Sequence, residues 1–528
     1  MVWGDFVAQI ASYPETIKDT MGQAHGVPQV YILPERLFDI SLGVSRSEIE
    51  FPIYFNFYLN QRKTILVCRR HQLKPVMRVL QEAIFGPTAL NLKRDYAPGI
   101  KPADLKKEMA FFKKDEKKPG GRLRMRDMVE FAVFDDNNEV TVSDVKITMV
   151  GLDRYRFTSK EKVRELSFRA PPKAPPASSS TRRYRPPFFG VTVIGSGHGF
   201  DPSADTSGFI IWVNGRGILV DPPVDTTQWL RSHGVDSRLI SDLILTHCHA
   251  DHDAGTLQKL LEEGRVRLHT PPTIIDSFIR KYRGLVGLVG SQLRALFDFI
   301  PVTVNEPVNI AGAAFFFRYN FHPVPTLGFS TSFQGKTFAY SGDHLNDAEY
   351  LQKLHDEGLI SKDRLKDLLD FEWHADLILH EAGIPPIHTP VEALIAQPDD
   401  VKELGDGATL ELAGVEFLVD HTPGHTRGSV TFRTPYADSA DVSEVMFSGD
   451  LLFAGSIGRT DLPGGDHPTM LRSLATKVLP LADDVVVLPG HGEQTSIGRE
   501  RATNPYLLDL ADEPGPGGAG TDPVTRGL

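Results

Sequence analysis

The 528-residue sequence contains only two cysteines, Cys68 and Cys248, which excludes a disulfide framework and favours a reducing compartment. No apolar run reaches about 18 uninterrupted residues, the length needed to cross a bilayer, so no membrane association is expected. The first ten residues, MVWGDFVAQI, lack the basic-then-apolar order of a signal peptide. We therefore expect a cytoplasmic protein.

Positive charge is also scarce, because 57 Lys and Arg residues face 68 Asp and Glu residues and the net charge is −11. General nucleic-acid binding requires a field of Lys and Arg, so this balance argues against it. A small phosphorylated substrate held by metal remains compatible with the charge. The oligomeric state is left open by the sequence, a homodimer included.

A Pro- and Ser-rich stretch, APPKAPPASSSTRRYRPP, divides the chain and is predicted to be a linker over residues 170–187, because it has no apolar face to pack. Residues 1–169 before it are predicted to form an accessory domain. After it come a catalytic region at 188–400 and a further region at 401–510. The Gly- and Pro-rich residues 511–528 are predicted to be a disordered tail.

The accessory region has the pattern of a mixed α/β domain. Aromatic and β-branched residues predict strands over Phe51–Leu59 and Thr64–Cys68. Apolar residues at helical spacing predict a helix over Val76–Ile84, which Gly86 ends. We find no metal-binding or nucleophile motif in this region, so a packing or regulatory role is predicted for it.

The clearest chemical motif is LILTHCHADHDAG, from Leu243 to Gly255. His247 and His249 are two residues apart, so they point the same way in an extended segment. Asp251 and His252 follow after a turn and can approach from the other side. Imidazole and carboxylate are suitable zinc or iron ligands, and burying these groups together without a metal would be costly. The motif therefore predicts a metal centre.

This HxHxDHxxG pattern after an apolar strand resembles the metallo-β-lactamase superfamily, over approximately Phe188 to Leu508. The resemblance implies an α/β (α+β) fold, an αββα sandwich with two metals at one edge, here preceded by the mixed α/β domain. Asp221, in LVDPP, matches an aspartate that supports the metal loop. The resemblance implies four metal ligands: His247 and His249 for the first metal, Asp251 and His252 for the second.

Three more ligands are expected, namely a histidine, a bridging aspartate and a last histidine. A first set begins with His322, in NFHPVPTLGF, and Asp343, in FAYSGDHLND. The following LILHEAGIPPIHTP resembles the ribonuclease Z-like branch, most closely its bacterial cyclic-nucleotide phosphodiesterases. That resemblance implies that Glu381 orients His388 and that His388 protonates the leaving alkoxide. The final metal ligand of that branch has no match soon after His388.

A second set consists of His425, Asp450 and His491, in VDHTPGHTRGS, MFSGDLLFAGS and VVVLPGHGEQ. The stretch from about 405 to 508 resembles the C-terminal half of glyoxalase II-like hydrolases, which cleave thioesters such as hydroxyacyl-glutathione. The helical domain that holds glutathione in those enzymes has no match here, and this departure counts against a thioester substrate.

The SGD motif therefore occurs twice, as if the second half of the fold were duplicated. Either set completes the centre, or His322 and Asp343 act together with His491. A natural or artificial junction near residue 400 is another interpretation. The sequence leaves these alternatives open.

The leading prediction is a two-metal zinc hydrolase, with iron or manganese as alternative metals. A metal-bound hydroxide would attack the phosphorus of a cyclic nucleotide or a similar small phosphodiester, with Asp251, Glu381 and His388 as catalytic residues. An alkoxide leaving group needs an acid and a thiolate does not, so the HEAGIPPIHT stretch favours the phosphodiester. The alternatives are a glyoxalase II-type thioester hydrolase (hydroxyacylglutathione hydrolase), its mononuclear iron persulfide dioxygenase variant, and a non-catalytic nucleotide-binding sensor.

Overall fold

The structure, a computed structural model, divides the chain into two compact units. The first unit is Met1–His388 with Leu394–Ala396, and the second unit is Thr389–Ala393 with Gln397–Leu528. The structure describes residues 2–3, 6–11, 26–35, 49–115, 121–160, 162–168, 184–197, 205–263, 266–286, 288–345, 347–370, 375, 377–382, 405–412, 415–426, 428–436, 442–458, 460, 466–490 and 493–512.

The first unit begins with two sheets. The five-stranded sheet has the order β1-β2-β3-β4-β7, and β2, β3, β4 and β7 run parallel. Its strands are β1 Val2–Trp3, β2 Phe6–Ile10, β3 Val30–Ile32, β4 Thr64–Cys68 and β7 Val129–Val133. A hairpin joins β5 Lys114–Asp115 to β6 Gly121–Arg122. The four-stranded antiparallel meander consists of β8 Glu139–Val142, β9 Val145–Gly151, β10 Arg154–Ser159 and β11 Lys162–Ser167.

Four helices accompany these strands: α1 Glu50–Tyr54, α2 Arg70–Ile84, α3 Leu105–Phe111 and α4 Met125–Met128. The helix predicted over Val76–Ile84 is confirmed within α2. The strand predicted over Phe51–Leu59 is wrong, because α1 continues into a π-helical turn, Phe55–Leu59. Pro52 lies in the first turn of α1, where its missing N–H costs no intrahelical hydrogen bond, whereas inside a sheet it would remove one.

A six-stranded sheet follows, with its strands in chain order. Its first three strands are antiparallel and its last three are parallel to the third. The strands are β12 Phe189–Gly195, β13 Gly208–Val213, β14 Arg216–Val220, β15 Ile240–Ile244, β16 Arg267–Thr270 and β17 Asp298–Pro301. The helices between them are α5 Thr226–Ser232, α6 Ala250–Glu263, α7 Pro272–Leu285 and α8 Gly290–Arg294.

The next sheet has five strands, β18 Pro307–Ile310, β19 Ala313–Tyr319, β20 Leu327–Phe333, β21 Lys336–His344 and β22 Leu377–Ala382, with α9 Ala348–Asp356 and α10 Lys362–Leu369 between the last two. Its inner face packs on the six-stranded sheet. Phe209 of β13 lies 4.8 Å from Tyr340 of β21 and 5.7 Å from Phe338, measured between ring centroids. One hydrophobic core joins both sheets to α6 and α7, so the predicted sandwich is confirmed.

In its described residues, the second unit contains a six-stranded sheet, a two-stranded sheet, three α-helices and a π-helical turn, Leu474–Val478. Its elements are β23 Thr409–Leu412, β24 Val415–His421, β25 Val430–Pro435, β26 Glu444–Gly449, β27 Leu452–Phe453, β28 Ser456–Ile457, α11 His467–Ser473, β29 Val486–Pro489, β30 Thr495–Ser496, α12 Ile497–Thr503 and α13 Pro505–Asp512. Strands β23, β24, β25 and β26 pair antiparallel, and β29 pairs parallel to β26. Strands β18 to β22 have the same pairing. The second unit therefore repeats the topology of the second sheet of the sandwich.

Two contacts within the first unit fix the position of the metal-binding loop. Helix α2 packs on α7, where Glu82 accepts hydrogen bonds from Ser277 Oγ at 2.5 Å and Arg280 Nε at 2.6 Å. Gly255 of α6 touches the turn after β14 so closely that a Cβ would lie 2.0 Å from the carbonyl oxygen of Pro222. No helix in the described part of the chain has both the length and the apolarity that a bilayer crossing requires.

We predict that Gly255→Ala destabilises the first unit by about 1–3 kcal/mol, because the added methyl group must displace backbone rather than a flexible side chain. Thermal melting of the variant and the wild type checks this. Gly405→Ala is the matched control, since a Cβ there meets nothing within 4 Å. An unchanged melting temperature for Gly255→Ala would contradict the close approach.

Candidate metal centre

The loop after β15 is held by a buried aspartate at the end of β14. Asp221 has a positive φ of 41°, and its Oδ1 accepts a hydrogen bond of 2.8 Å from the Thr246 backbone N–H. Its Oδ2 accepts from the Thr246 hydroxyl and lies 3.0 Å from His252 Nδ1. This pairing places the proton of His252 on Nδ1, so Nε2 presents a lone pair that can bind a cation.

Three histidines direct ring nitrogens at one point. His247 Nε2 and His322 Nε2 each lie 3.1 Å from His249 Nδ1. The other nitrogen of His247, Nδ1, lies 3.0 Å from the hydroxyl of Thr246. His322 lies in the turn between β19 and β20, so the five-stranded sheet of the sandwich supplies it. His247 and His249 follow β15 of the six-stranded sheet.

Asp343, near the end of β21, directs one carboxylate oxygen at His322 and His247 and the other at His252. Its Oδ2 lies 3.3 Å from His322 Nε2 and 3.6 Å from His247 Nε2. Its Oδ1 lies 3.3 Å from His252 Nε2. Asp251, in the first turn of α6, lies at the edge of the group, with Oδ1 3.9 Å from His252 Nε2. The two oxygens of Asp343 therefore point at two groups of ligand atoms, as a bridging carboxylate does.

The donor set fits divalent cations. His247, His249, His322 and Asp343 each offer a ligand atom within 4.8 Å of the others, and all four residues are buried. Two nitrogens bound to one tetrahedral zinc at ~2.0–2.1 Å would be about 3.3 Å apart, close to the separations in this cluster. His247, His252 and Asp221 form a second such group. We assign Asp221 a supporting role, because both its oxygens already accept hydrogen bonds.

The protonation of the cluster suits cation binding. Burial lowers the pKa of His247 and of His322 well below the usual value of imidazole, and neighbouring histidines lower both further. Burial also lowers the pKa of His249 to about 3, with the Ala83 carbonyl acting in the opposite direction. Neutral imidazoles offer lone pairs, and converging lone pairs in a buried site are costly until a cation joins them.

Helix α7 holds the loop from the side away from the cluster. Lys281, fully buried, donates to Asp253 Oδ1 at 2.8 Å and to the Cys248 carbonyl at 2.9 Å. Cys248 itself points at the Ile274 carbonyl, with Sγ 3.8 Å away, and burial raises the pKa of its thiol well above the usual value. The Cys248 side chain, between two histidines of the cluster in sequence, therefore packs against the core and is not expected to act as a nucleophile.

The second predicted set lies in the second unit. His425 Nε2 is 3.3 Å from Asp450 Oδ2. His425 follows β24 as His322 follows β19, and Asp450 follows β26, whereas Asp343 lies near the end of β21. His491 lies outside the described residues. Neither cluster of metal-binding side chains found in the described ranges includes His425 or Asp450.

The predicted proton relay is described only in its backbone. Glu381 lies on β22, where it pairs in register with Asp343 of β21. His388 lies outside the described residues. The register places Glu381 next to the residue that bridges the cluster.

One carboxylate near the cluster was not predicted from the sequence. Glu50 of α1, buried in the accessory region, accepts a hydrogen bond of 3.2 Å from the backbone N–H of Ala250, and its other oxygen lies 3.9 Å from His249 Nε2. The phenol of Tyr54 hydrogen-bonds the same carboxylate. No local spacing signals this contact, because Glu50 and Ala250 are 200 residues apart.

Two sequence families match the chain. The family described as "Anti-Pycsar protein Apyc1" matches residues 189–404, and the one described as "Metallo-beta-lactamase superfamily" matches residues 342–491. The first match covers the region that contains the histidine cluster, and the second reaches into the second unit.

Three curated relatives are similar to the chain over different shares of its length. The cGMP-dependent 3′,5′-cGMP phosphodiesterase A of Dictyostelium discoideum is 30% identical, over 83% of this chain and 66% of that protein. The cAMP/cGMP-dependent 3′,5′-cAMP/cGMP phosphodiesterase B of the same organism is 31% identical, over 75% and 41%. Hydroxyacylglutathione hydrolase GloC of Haemophilus influenzae is 45% identical, over 19% and 45%. The chain spans less than two thirds of the length of each relative. With the sandwich fold, these matches show that the chain belongs to the metallo-β-lactamase superfamily, and the three relatives named here are hydrolases.

Proposed function

We propose that the protein is a zinc-dependent phosphodiesterase that hydrolyses cyclic nucleotides or similar small phosphodiesters. The observation that carries this proposal is the position of the histidine cluster. It lies in the region matched by the Apyc1 family, in a chain of which 83% aligns with a relative named as a phosphodiesterase. The proposed ligands are His247, His249 and His322 at the first metal, Asp251 and His252 at the second, and Asp343 between them.

Zinc ions bound there would supply Lewis acidity that activates water and stabilises the negative charge that develops on the phosphate oxygens. The chain itself holds the ligand atoms in place before a metal arrives. Asp221 keeps His252 Nε2 turned toward Asp343, and Lys281 ties the loop to α7. This preorganisation limits the entropy lost when metal and substrate bind.

We assign the leaving-group proton to His388, oriented by Glu381. A ribose alkoxide is a strong base and must be protonated as the P–O bond breaks, which a positioned imidazolium can do. The register of β22 with β21, which sets Glu381 beside Asp343, supports this assignment. We further propose that the substrate is a small molecule and that the protein acts in the reducing environment of the cytoplasm.

The second candidate is a thioester hydrolase of the glyoxalase II type. It is favoured by the 45% identity to GloC and by the His425–Asp450 pair in the second unit. His425 and Asp450 are more exposed, with 22% and 34% of their side chains accessible, against 5% and 14% for His322 and Asp343. Charge stabilisation is weaker at exposed groups, so we rank this candidate second.

We predict that Asp343→Asn lowers zinc-dependent hydrolysis of cyclic AMP and cyclic GMP by roughly 10³-fold, since losing a bridging ligand removes several kcal/mol of charge stabilisation. The duplicated topology offers a matched control, Asp450→Asn, which we expect to leave the rate within about twofold. Steady-state assays run beside S-lactoylglutathione measure both effects. The second candidate is correct if the wild type cleaves only S-lactoylglutathione and if Asp450→Asn abolishes that activity while Asp343→Asn does not.

We also predict that His388→Ala slows cyclic-nucleotide turnover by about 10²–10⁴-fold and leaves the zinc content unchanged, because the lost group is an acid rather than a ligand. Zinc analysis and kinetics on the same preparation test both halves of the statement. His355→Ala, on α9, is the control for replacing a histidine elsewhere. Loss of zinc together with activity would identify His388 as a metal ligand instead.

A further inference from the structure

His249 turns one ring nitrogen toward the histidine cluster and the other toward the accessory region. Its Nδ1 faces His247 and His322, so Nε2 carries the proton when Nδ1 binds a cation. Nε2 is buried and makes no hydrogen bond of normal geometry with the described residues, although the Ala83 carbonyl also lies beside the ring. An unsatisfied buried N–H costs about 1–3 kcal/mol, so an acceptor is needed on that side of the ring.

The carboxylate of Glu50 lies on that side. Its Oε1 is 3.9 Å from His249 Nε2, which is within ion-pair distance but longer than a hydrogen bond. Its Oε2 accepts from the Ala250 N–H at 3.2 Å, so the same side chain already holds the residue that follows His249. Tyr54, one turn later on the same helical stretch, hydrogen-bonds the carboxylate and keeps it directed at the loop.

Apolar contacts fix this arrangement. Phe51 packs with Ala250 and Val27 in a small buried cluster, and Phe55 covers it. Glu50 itself is 1% exposed, so water does not compete for its oxygens.

We propose that Glu50 is a positioning residue of the metal centre, through which the accessory region fixes His249 with Nδ1 toward the metal and holds the loop at Ala250. A carboxylate that accepts the second N–H of a ligand imidazole orients the ring and raises its basicity. The accessory region is then part of the metal centre and not only a packing domain. This inference depends on the metal site in the proposed function, but not on the substrate.

The test measures zinc affinity of the full chain by competition with a chromogenic chelator, together with the melting temperature of the metal-free protein. Glu50→Ala removes the charge and both acceptors, and we expect zinc to bind about 10–100-fold more weakly. Glu50→Gln keeps the size of the side chain and an acceptor for Ala250. We expect it to weaken zinc binding by about tenfold, while the metal-free melting temperature stays near that of the wild type.

Glu82→Gln is the matched control. Glu82 is also a buried glutamate that joins the accessory region to the sandwich, through Ser277 and Arg280, without touching the metal-binding loop. We expect this variant to melt at a lower temperature and to bind zinc as the wild type does. If Glu50→Gln behaves in the same way as Glu82→Gln, Glu50 only stabilises the fold and the proposal is overturned.

A second readout is independent of any metal. In the metal-free protein, the Ala250 amide should exchange hydrogen faster in Glu50→Ala than in Glu82→Gln, and equal rates would contradict the loop contact. A wild-type chain that binds no zinc would overturn this proposal together with the metal site. One that binds zinc but hydrolyses no cyclic nucleotide would overturn the proposed substrate alone.

Discussion

The carboxylate of Asp221 is the contact on which the metal centre depends. It is completely buried, and burial raises its pKa, which the hydrogen bonds from His252 and Thr246 oppose. A buried carboxylate is tolerated only when donors satisfy it, and here the donors are the backbone and hydroxyl of Thr246 and the ring of His252. One side chain therefore sets the path of the loop and the tautomer of a ligand. The close approach of Gly255 to the two prolines after Asp221 keeps that side chain in place.

The repeated half of the fold clarifies what a metal centre requires. The distance from histidine Nε2 to aspartate Oδ2 is 3.3 Å both for His322 with Asp343 and for His425 with Asp450. A strand order of three antiparallel pairs and one parallel pair is therefore enough to bring these two side chains together. Two ligands do not make a zinc site, since structural and catalytic sites use three or four protein ligands. In the first unit the missing ligands come from the loop that follows β15.

Sequence reasoning is most informative where the signal is local. The proposed ligands between His247 and His252 fall within one loop after one strand, so their spacing alone predicts that they lie together. His322 and Asp343 required a family resemblance, because strand order rather than spacing brings them to the loop. The interpretation of Phe51–Leu59 as a strand is wrong because aromatic content is shared by strands and packed helices, and Pro52 suits the first turn of a helix better than the interior of a sheet. Glu50 could not be predicted, since its partner is 200 residues away and a single glutamate has no pattern.

The accessory region meets the sandwich through buried carboxylates. Glu50 binds Ala250, Glu82 binds Arg280, Asp95 accepts from Thr273 N–H at 3.1 Å, and Glu108 accepts from Arg364 Nε at 2.9 Å. All four acidic residues are at most 4% exposed. Removing residues 1–169 would therefore remove four buried acceptors at once and expose the sandwich surface that they cover to water. The linker thus divides the sequence without separating the accessory region from the sandwich, since both belong to one compact unit.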